Sequence, residues 1–177
     1  MRLEVYQCDE VKYSYSINGT YSSNASDYKI LEQELINSAN KAGYSITPPY
    51  NFQRHHIVPL SEHEAQYSRD ILEALDININ SAVNGLLLPS GFGDITYIVS
   101  ENLHNGGHSR SYCAKIEKEL SDVLVAYFGD SQDYLKEISN IDVEKKEELT
   151  KLICDCLTKI KTKILNGDKE FKVNNKE

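Results

Sequence analysis

The chain has 177 residues and a mass of 20.1 kDa, with 40% hydrophobic and 26% charged residues. This composition is typical of one globular domain with enough apolar residues for a core, and no internal repeat or low-complexity linker interrupts it. The longest apolar runs, such as Leu86 to Leu88, are far shorter than the ~20 residues that cross a bilayer, so we expect no membrane span. The net charge of −8 is unfavourable for binding nucleic acid, which normally requires clustered lysine and arginine.

The first 46 residues are expected to form a hairpin and a helix that pack on the rest of the protein. Val11 to Ile17 alternate apolar and polar side chains ahead of Asn18-Gly19, a pair typical of a tight hairpin turn. From Asp27 onward, apolar residues recur at helical spacing, and Gly43 stands where a C-terminal cap belongs.

Residues 47–128 are expected to form the core of the domain. The pattern predicts a strand from Phe52 to Val58 after Pro48-Pro49 and, from a capping box of Ser61 and Glu64, a helix over 62–75. The run DININSAVNGLLLP is predicted to be a turn-rich connector that leads into another short extended piece. A loop with Gly91 and Gly93 and a strand at 95–99 are predicted to follow. A helix is predicted to begin between positions 104 and 108 and to run to about 127.

Residues 129–177 read as a helical extension of the same globular unit. Apolar residues recur at helical spacing from Leu149 to Ile164, and Gly167 lies just beyond them. Cys154 and Cys156 fall within this pattern and point about 200° apart, so they are expected to be one buried and one partly exposed thiol.

All five histidines lie between positions 55 and 108, and four of them form two pairs. His55 and His56 are adjacent at the end of a predicted strand, so their side chains should point to opposite faces. His104 and His108 have the i, i+4 spacing that lets two imidazoles on one helix face reach a single ion. If the helix begins only at about His108, the pair could still converge from the turn that enters it.

Three strings of the middle region resemble a known family: RHHIVPL, DININSAVNGLLLP and HNGGHSRSY. In this order they resemble the AHH branch of the HNH, or His-Me finger, endonucleases, over roughly Gly43 to Leu120. The visible departure is Arg54, which stands where the family name places alanine.

The resemblance implies an α+β fold with a ββα-metal (His-Me finger) core in a mostly helical domain. It implies a divalent metal ion, zinc, nickel, magnesium or manganese, held by His55, His104 and His108. His56 would be the general base, and Asn84 would fix the backbone of the finger by hydrogen bonds. Because a neutral imidazole accepts a proton from water near neutral pH, the role given to His56 also suits the chemistry of phosphodiester hydrolysis.

Three further residues near the histidines are candidates for the site. Arg54 and Arg110 could brace a phosphate, since a guanidinium matches its oxygens, although surface ion pairing is an equally good interpretation. Tyr112 would share the helix face of His108 and could orient a ligand or contact nucleic acid, or it could be a core aromatic.

Two other functions remain open. The histidines could form a structural zinc site in a non-catalytic interaction module, although such sites usually have four ligands, often cysteines. The protein could instead hydrolyse another phosphoester, which would suit its acidic charge. The acidic net charge is also an objection to a nucleic acid substrate. To answer it, we expect the 12 lysines of the C-terminal region to gather on one face.

Nucleic acid is the expected partner, with DNA favoured over RNA. Members of this branch are commonly bacterial toxin domains, so a cognate immunity protein is a further expected partner. The N-terminus carries Cys8, Asp9 and Glu10 where a signal peptide would be apolar. We therefore expect action in the cytoplasm, including that of a target cell after export by a dedicated secretion system.

Overall fold

The computed structural model describes residues 25–43, 52–89 and 108–171. Five helices dominate these ranges, joined by short 3-10 turns and a two-stranded sheet, so the fold is α+β and mostly helical. The helices are α1 (Ala25–Lys41), α2 (Gln66–Ala74), α3 (Arg110–Phe128), α4 (Tyr134–Asn140) and α5 (Val143–Leu165). The strands are β1 (Phe52–His56) and β2 (Gly85–Pro89). None of the described helices is long and apolar enough to cross a membrane.

The two strands pair antiparallel, which places the end of β1 beside the start of β2. His55 lies opposite Leu86, and His56 lies opposite Gly85. A Cβ atom at Gly85 would lie 2.2 Å from Leu31 Cδ1 of α1, so any larger residue would require the Leu31 side chain to shift. Helix α1 therefore packs directly against the sheet at the position of His56.

A single apolar cluster joins α2, α3 and α5 to the sheet. Helix α5 lies against α3 and also against β2 and the 3-10 turn before it, Ala82–Asn84. The buried aliphatic residues of the three helices are Ile71, Leu72, Ile116, Leu120, Leu124, Leu149, Ile153, Leu157, Ile160 and Ile164. The helical spacing of apolar residues correctly predicted the helices α2 and α5, although Leu152, within the apolar pattern of α5, is 40% exposed.

Glycine ends two helices as predicted. Gly43 follows α1 with φ +80°, and Gly167 follows α5 with φ +73°, values that glycine adopts without steric cost. The predicted partly exposed thiol in α5 is wrong, since Cys154 and Cys156 are both buried at 7% exposure. The reason is that α5 has neighbours on more than one side, and Cys156 Sγ lies 3.6 Å from the Glu119 carbonyl of α3.

The predicted capping box is also wrong. Residues His63–Ala65 form a 3-10 turn without a side-chain cap, and α2 begins at Gln66. Glu64 does not reach back toward Ser61, because its carboxylate pairs with Arg110 at 2.8 Å. The predicted hairpin at 11–19, the glycine-containing loop at 91–93 and the predicted strand at 95–99 lie outside the described residues.

Candidate active site

The adjacent histidines occupy the last two positions of β1 and point to opposite faces of the sheet. Successive side chains of a strand alternate between its faces, so His55 and His56 are directed into different surroundings. Both are buried, at 0% and 3% exposure. One histidine pair is thus divided between two environments by strand geometry alone.

His55 meets His108, which lies just before α3. Their Nδ1 and Nε2 atoms, respectively, are 3.2 Å apart. His108 is not on the helix, because Ser109 is the N-cap and its hydroxyl accepts from the Tyr112 backbone N–H. The prediction that His104 and His108 share a helix face is therefore wrong for His108, and the alternative of a turn entering the helix applies to it.

The outer nitrogen of His55 is held by Tyr112. Tyr112 Oη donates to the Ile57 carbonyl at 2.9 Å and lies 3.0 Å from His55 Nε2. Since the single hydroxyl proton is used on Ile57, Nε2 of His55 donates and its Nδ1 carries the lone pair. Burial raises the pKa of Tyr112 well above its usual value, so the hydroxyl keeps that proton. Tyr112 is 1% exposed, which places it under the histidines as a support.

The outer nitrogen of His108 is held by Glu62. Glu62 Oε1 lies 3.0 Å from His108 Nδ1 and accepts from the His108 backbone N–H at 3.1 Å. The hydrogen bond from the His108 side chain lowers the pKa of Glu62 to about 2, against the cost of its partial burial. The ionised carboxylate requires that Nδ1 of His108 carry a proton.

The facing nitrogens of His55 and His108 have the chemistry of two metal ligands. In the neutral rings both nitrogens carry lone pairs, which repel at 3.2 Å unless a proton or a metal cation lies between them. Two imidazole nitrogens bound to one tetrahedral zinc at about 2.0–2.1 Å are about 3.3 Å apart. No three His, Cys, Asp or Glu side chains converge on one point within 25–43, 52–89 and 108–171. The third predicted ligand, His104, lies outside these ranges.

His56 is held on the other face by an asparagine. Its Nε2 lies 2.8 Å from Asn80 Oδ1, an atom that only accepts hydrogen bonds. In the neutral ring, Nε2 therefore carries the proton and Nδ1 carries the lone pair. Asn80 is itself 7% exposed, so the imidazole has a fixed tautomer and orientation in a buried setting.

Asn84 fastens the end of β1 to the turn before β2. Its Oδ1 accepts from the Val58 N–H at 2.8 Å, and its Nδ2 donates to the Ile79 carbonyl at 2.8 Å and to the Val58 carbonyl at 3.3 Å. The Asn84 carbonyl also accepts from the Ile57 N–H. These bonds fix the backbone that follows the two histidines, and the side-chain bonds run between loop segments.

Replacing Asn84 with alanine is expected to lower the free energy of unfolding by about 3–5 kcal/mol. The side chain is fully buried, and its loss leaves one N–H and two carbonyls without this partner, at about 1–3 kcal/mol each. Urea denaturation measures the change, with Asn140→Ala at the exposed end of α4 as the control. A loss below about 1 kcal/mol at Asn84 would contradict the role of its hydrogen bonds.

Both candidate arginines form ion pairs with carboxylates. Arg54 pairs with Glu32 of α1, and Arg110, which is 86% exposed, pairs with Glu64 at 2.8 Å. This is the surface ion pairing that the sequence left open. A phosphate would reach either guanidinium only by sharing it with the carboxylate or displacing that group.

Sequence reasoning missed the residues that orient the histidines. Asn80 lies inside the string DININSAVNGLLLP, so the resemblance contained a signal for its importance. Glu62 carries no such signal, because 46 residues separate it from His108 and only the fold brings the two together.

Comparison with known families matches most of the chain to a nuclease family. Residues 36–164 match the model of AHH, described as a nuclease family of the HNH/ENDO VII superfamily with conserved AHH. No curated protein and no solved structure matches the chain. The match includes both strands, the adjacent histidines, helices α2 to α4 and all of α5 except its last residue.

Proposed function

The chain belongs to the AHH family of nucleases in the HNH/ENDO VII superfamily, and on this basis we propose that it is a metal-dependent endonuclease that hydrolyses DNA. Nucleic acid is the substrate class that the family implies. One observation carries the finer proposal: His55 turns to His108, with facing nitrogens at 3.2 Å, while His56 turns to Asn80 on the other face.

His55, His104 and His108 would hold the divalent ion that nucleases of this superfamily generally use. The spacing and tautomers of His55 and His108 support this assignment, and imidazole ligands favour zinc or nickel by affinity, with magnesium and manganese as further candidates for activity. When bound, the ion would stabilise the negative charge that develops on the phosphate and the leaving oxygen.

His56 would act as the general base. Its Nδ1 lone pair would take the proton from a water molecule as the water oxygen forms a bond to phosphorus. The bond from phosphorus to the 3′ oxygen would then break, which leaves a 5′-phosphate and, after protonation of the leaving oxygen, a 3′-hydroxyl. Asn80 would hold the ring in the tautomer that this step needs.

The remaining candidates would act around this step. Arg54 and Arg110 would brace the phosphate by sharing their guanidinium groups between carboxylate and phosphate oxygens. Tyr112 would act only through His55, whose imidazole it holds. Asn84 would keep the backbone of the finger in place, and the two strands and α3 would form its ββα core.

A role as a bacterial toxin with an immunity protein is part of this proposal and is carried by the family resemblance alone. An immunity partner would be expected to cover the histidine site. Coexpression of the chain with neighbouring open reading frames, scored by survival of the host, tests this part separately from the nuclease chemistry.

The experiment that tests the proposal is incubation of the purified protein with plasmid DNA and with total RNA. Parallel reactions contain Mg²⁺, Mn²⁺, Zn²⁺, Ni²⁺ or a chelator. Metal-dependent nicking or degradation of DNA is the expected result. Cleavage of RNA alone would replace the substrate, and no cleavage by a protein shown to bind metal would favour a structural zinc module or another phosphoester.

Cleavage is expected to fall at least about tenfold between 50 and 200 mM salt, because affinity for a phosphate backbone falls with salt as counterions are released. The effect is limited by the cations available. Within the described residues, five C-terminal lysines are paired with carboxylates: Lys115, Lys118, Lys145, Lys146 and Lys163. Rates measured at rising salt test this, and activity unchanged to about 0.5 M would exclude backbone electrostatics as the main source of affinity.

A further inference from the structure

Glu62 lies between β1 and α2 in the chain, and its carboxylate forms hydrogen bonds with His108, just before α3. It is the residue before the 3-10 turn His63–Ala65, yet its side chain makes no capping bond to that turn. The carboxylate instead bonds the backbone N–H of His108 at 3.1 Å and the Nδ1 of the same residue at 3.0 Å. Two contacts to one residue fix both the position of the chain and the angle of the ring.

A buried arginine of α2 holds the backbone of Glu62 by hydrogen bonds. Arg69 of α2 is 5% exposed, and its Nη1 donates to the carbonyls of Pro59 and Glu62 at 2.9 Å each. Its Nη2 donates to Gln66 Oε1 at 2.7 Å. These bonds fix the backbone of segment 59–62, and the Glu62 carboxylate is therefore held toward His108.

The contact determines which nitrogen of His108 faces His55. A carboxylate at Nδ1 holds the proton there and leaves Nε2, 3.2 Å from His55 Nδ1, as the atom with the lone pair. On the other side, Tyr112 does the same for His55 through Nε2. Glu62 is therefore the counterpart of Tyr112 at the second imidazole, and it adds a negative charge that makes the ring a stronger donor.

We propose that Glu62 is a positioning residue for the metal site. Glu62 acts through His108, and Arg69 fixes the backbone of Glu62. This inference rests on the proposed function, because it assigns the purpose of the contact to metal binding. Carboxylates that bond the outer nitrogen of a metal-binding histidine orient the ring and raise its basicity. Removal of Glu62 should weaken metal binding, because Glu62 holds His108 in place.

The test is zinc affinity of the full chain, measured by competition with a chromophoric chelator, for wild type, Glu62→Ala and Glu62→Gln. Alanine is expected to weaken zinc binding by about 10- to 100-fold. Glutamine keeps an acceptor oxygen for both N–H groups of His108 but lacks the charge, so its affinity should lie between those of alanine and wild type. Glu73→Ala and Glu73→Gln, at an exposed position of α2, are the matched controls and should bind as wild type does.

A second readout separates positioning from general stability. The unfolding midpoint of each variant is measured in chelator, where a positioning residue should matter little. If Glu62→Ala binds zinc with an affinity within about twofold of wild type, the inference is overturned and the proposed function stands. The inference is also overturned if zinc affinity falls only in variants whose unfolding midpoint in chelator has fallen, because the loss is then explained by lower stability. No zinc binding by the wild type would refute the proposed metal site itself, and the inference with it.

Discussion

Replacing His56 with alanine is expected to reduce phosphodiester cleavage by about 10²- to 10⁴-fold, the usual contribution of a general base. Metal affinity should stay within about threefold of wild type, because His56 points away from the pair formed by His55 and His108. The measurement is the cleavage rate on plasmid DNA at saturating metal, together with metal affinity from the same preparation.

The matched control for this substitution is His63→Ala. His63 is exposed in the 3-10 turn before α2, so its loss should change neither cleavage nor metal binding. Because His56 is 3% exposed, the unfolding midpoint of its variant is recorded to show that the fold is intact. A folded His56→Ala protein that cleaves as wild type, or one that loses its metal, would contradict the division of roles between the adjacent histidines.

Replacing His108 with alanine is expected to abolish cleavage and to weaken metal binding more than the ~10–100-fold that loss of an outer partner typically costs. The substitution removes one of the two facing nitrogens and leaves the carboxylate of Glu62 without the N–H of the ring. A thermal readout accompanies the binding measurement. Metal at 100 times its dissociation constant stabilises the wild type by about 2.7 kcal/mol, and this gain should disappear in the variant.

The opposite pattern would be informative for His108. If His108→Ala bound metal as tightly as wild type, the spacing of 3.2 Å between the imidazoles would have another origin, such as a shared proton. Loss of cleavage without loss of metal would then move His108 from the ligand set to contact with the substrate. His63→Ala again serves as the control for the substitution itself.

Much of the fold follows from local patterns. The apolar spacing placed the helix ending at Lys41 and the long helix ending at Leu165, and Gly43 and Gly167 ended them as expected. These features depend on neighbours within a few residues along the chain, which is why a sequence reveals them. The capping box at Ser61 failed because a distant charge, Arg110, took the carboxylate of Glu64.

The sequence predicted several side chains of the candidate site, but it did not predict all of the contacts between them. The histidines and Asn84 were found through their strings, but the partners that set their tautomers were not all found. Glu62 meets His108 across 46 residues, and Asn80 meets His56 across 24. Hydrogen bonds between residues so far apart depend on how the elements pack, and no local pattern encodes that packing.

The ion pairs of the arginines show the same limit. Arg54 was a candidate for phosphate binding because it adjoins the histidine pair, yet Glu32 of α1 lies beside it in the fold. A guanidinium suits a phosphate and a carboxylate equally well, so residue type alone does not distinguish the two partners.

The most direct test of the central claim is an anomalous diffraction measurement on crystals of the His56→Ala variant grown with Zn²⁺ or Mn²⁺. The division of roles predicts one strong anomalous peak in contact with Nδ1 of His55 and Nε2 of His108. A peak located elsewhere, or no peak at a metal concentration that supports cleavage by the wild type, would contradict it.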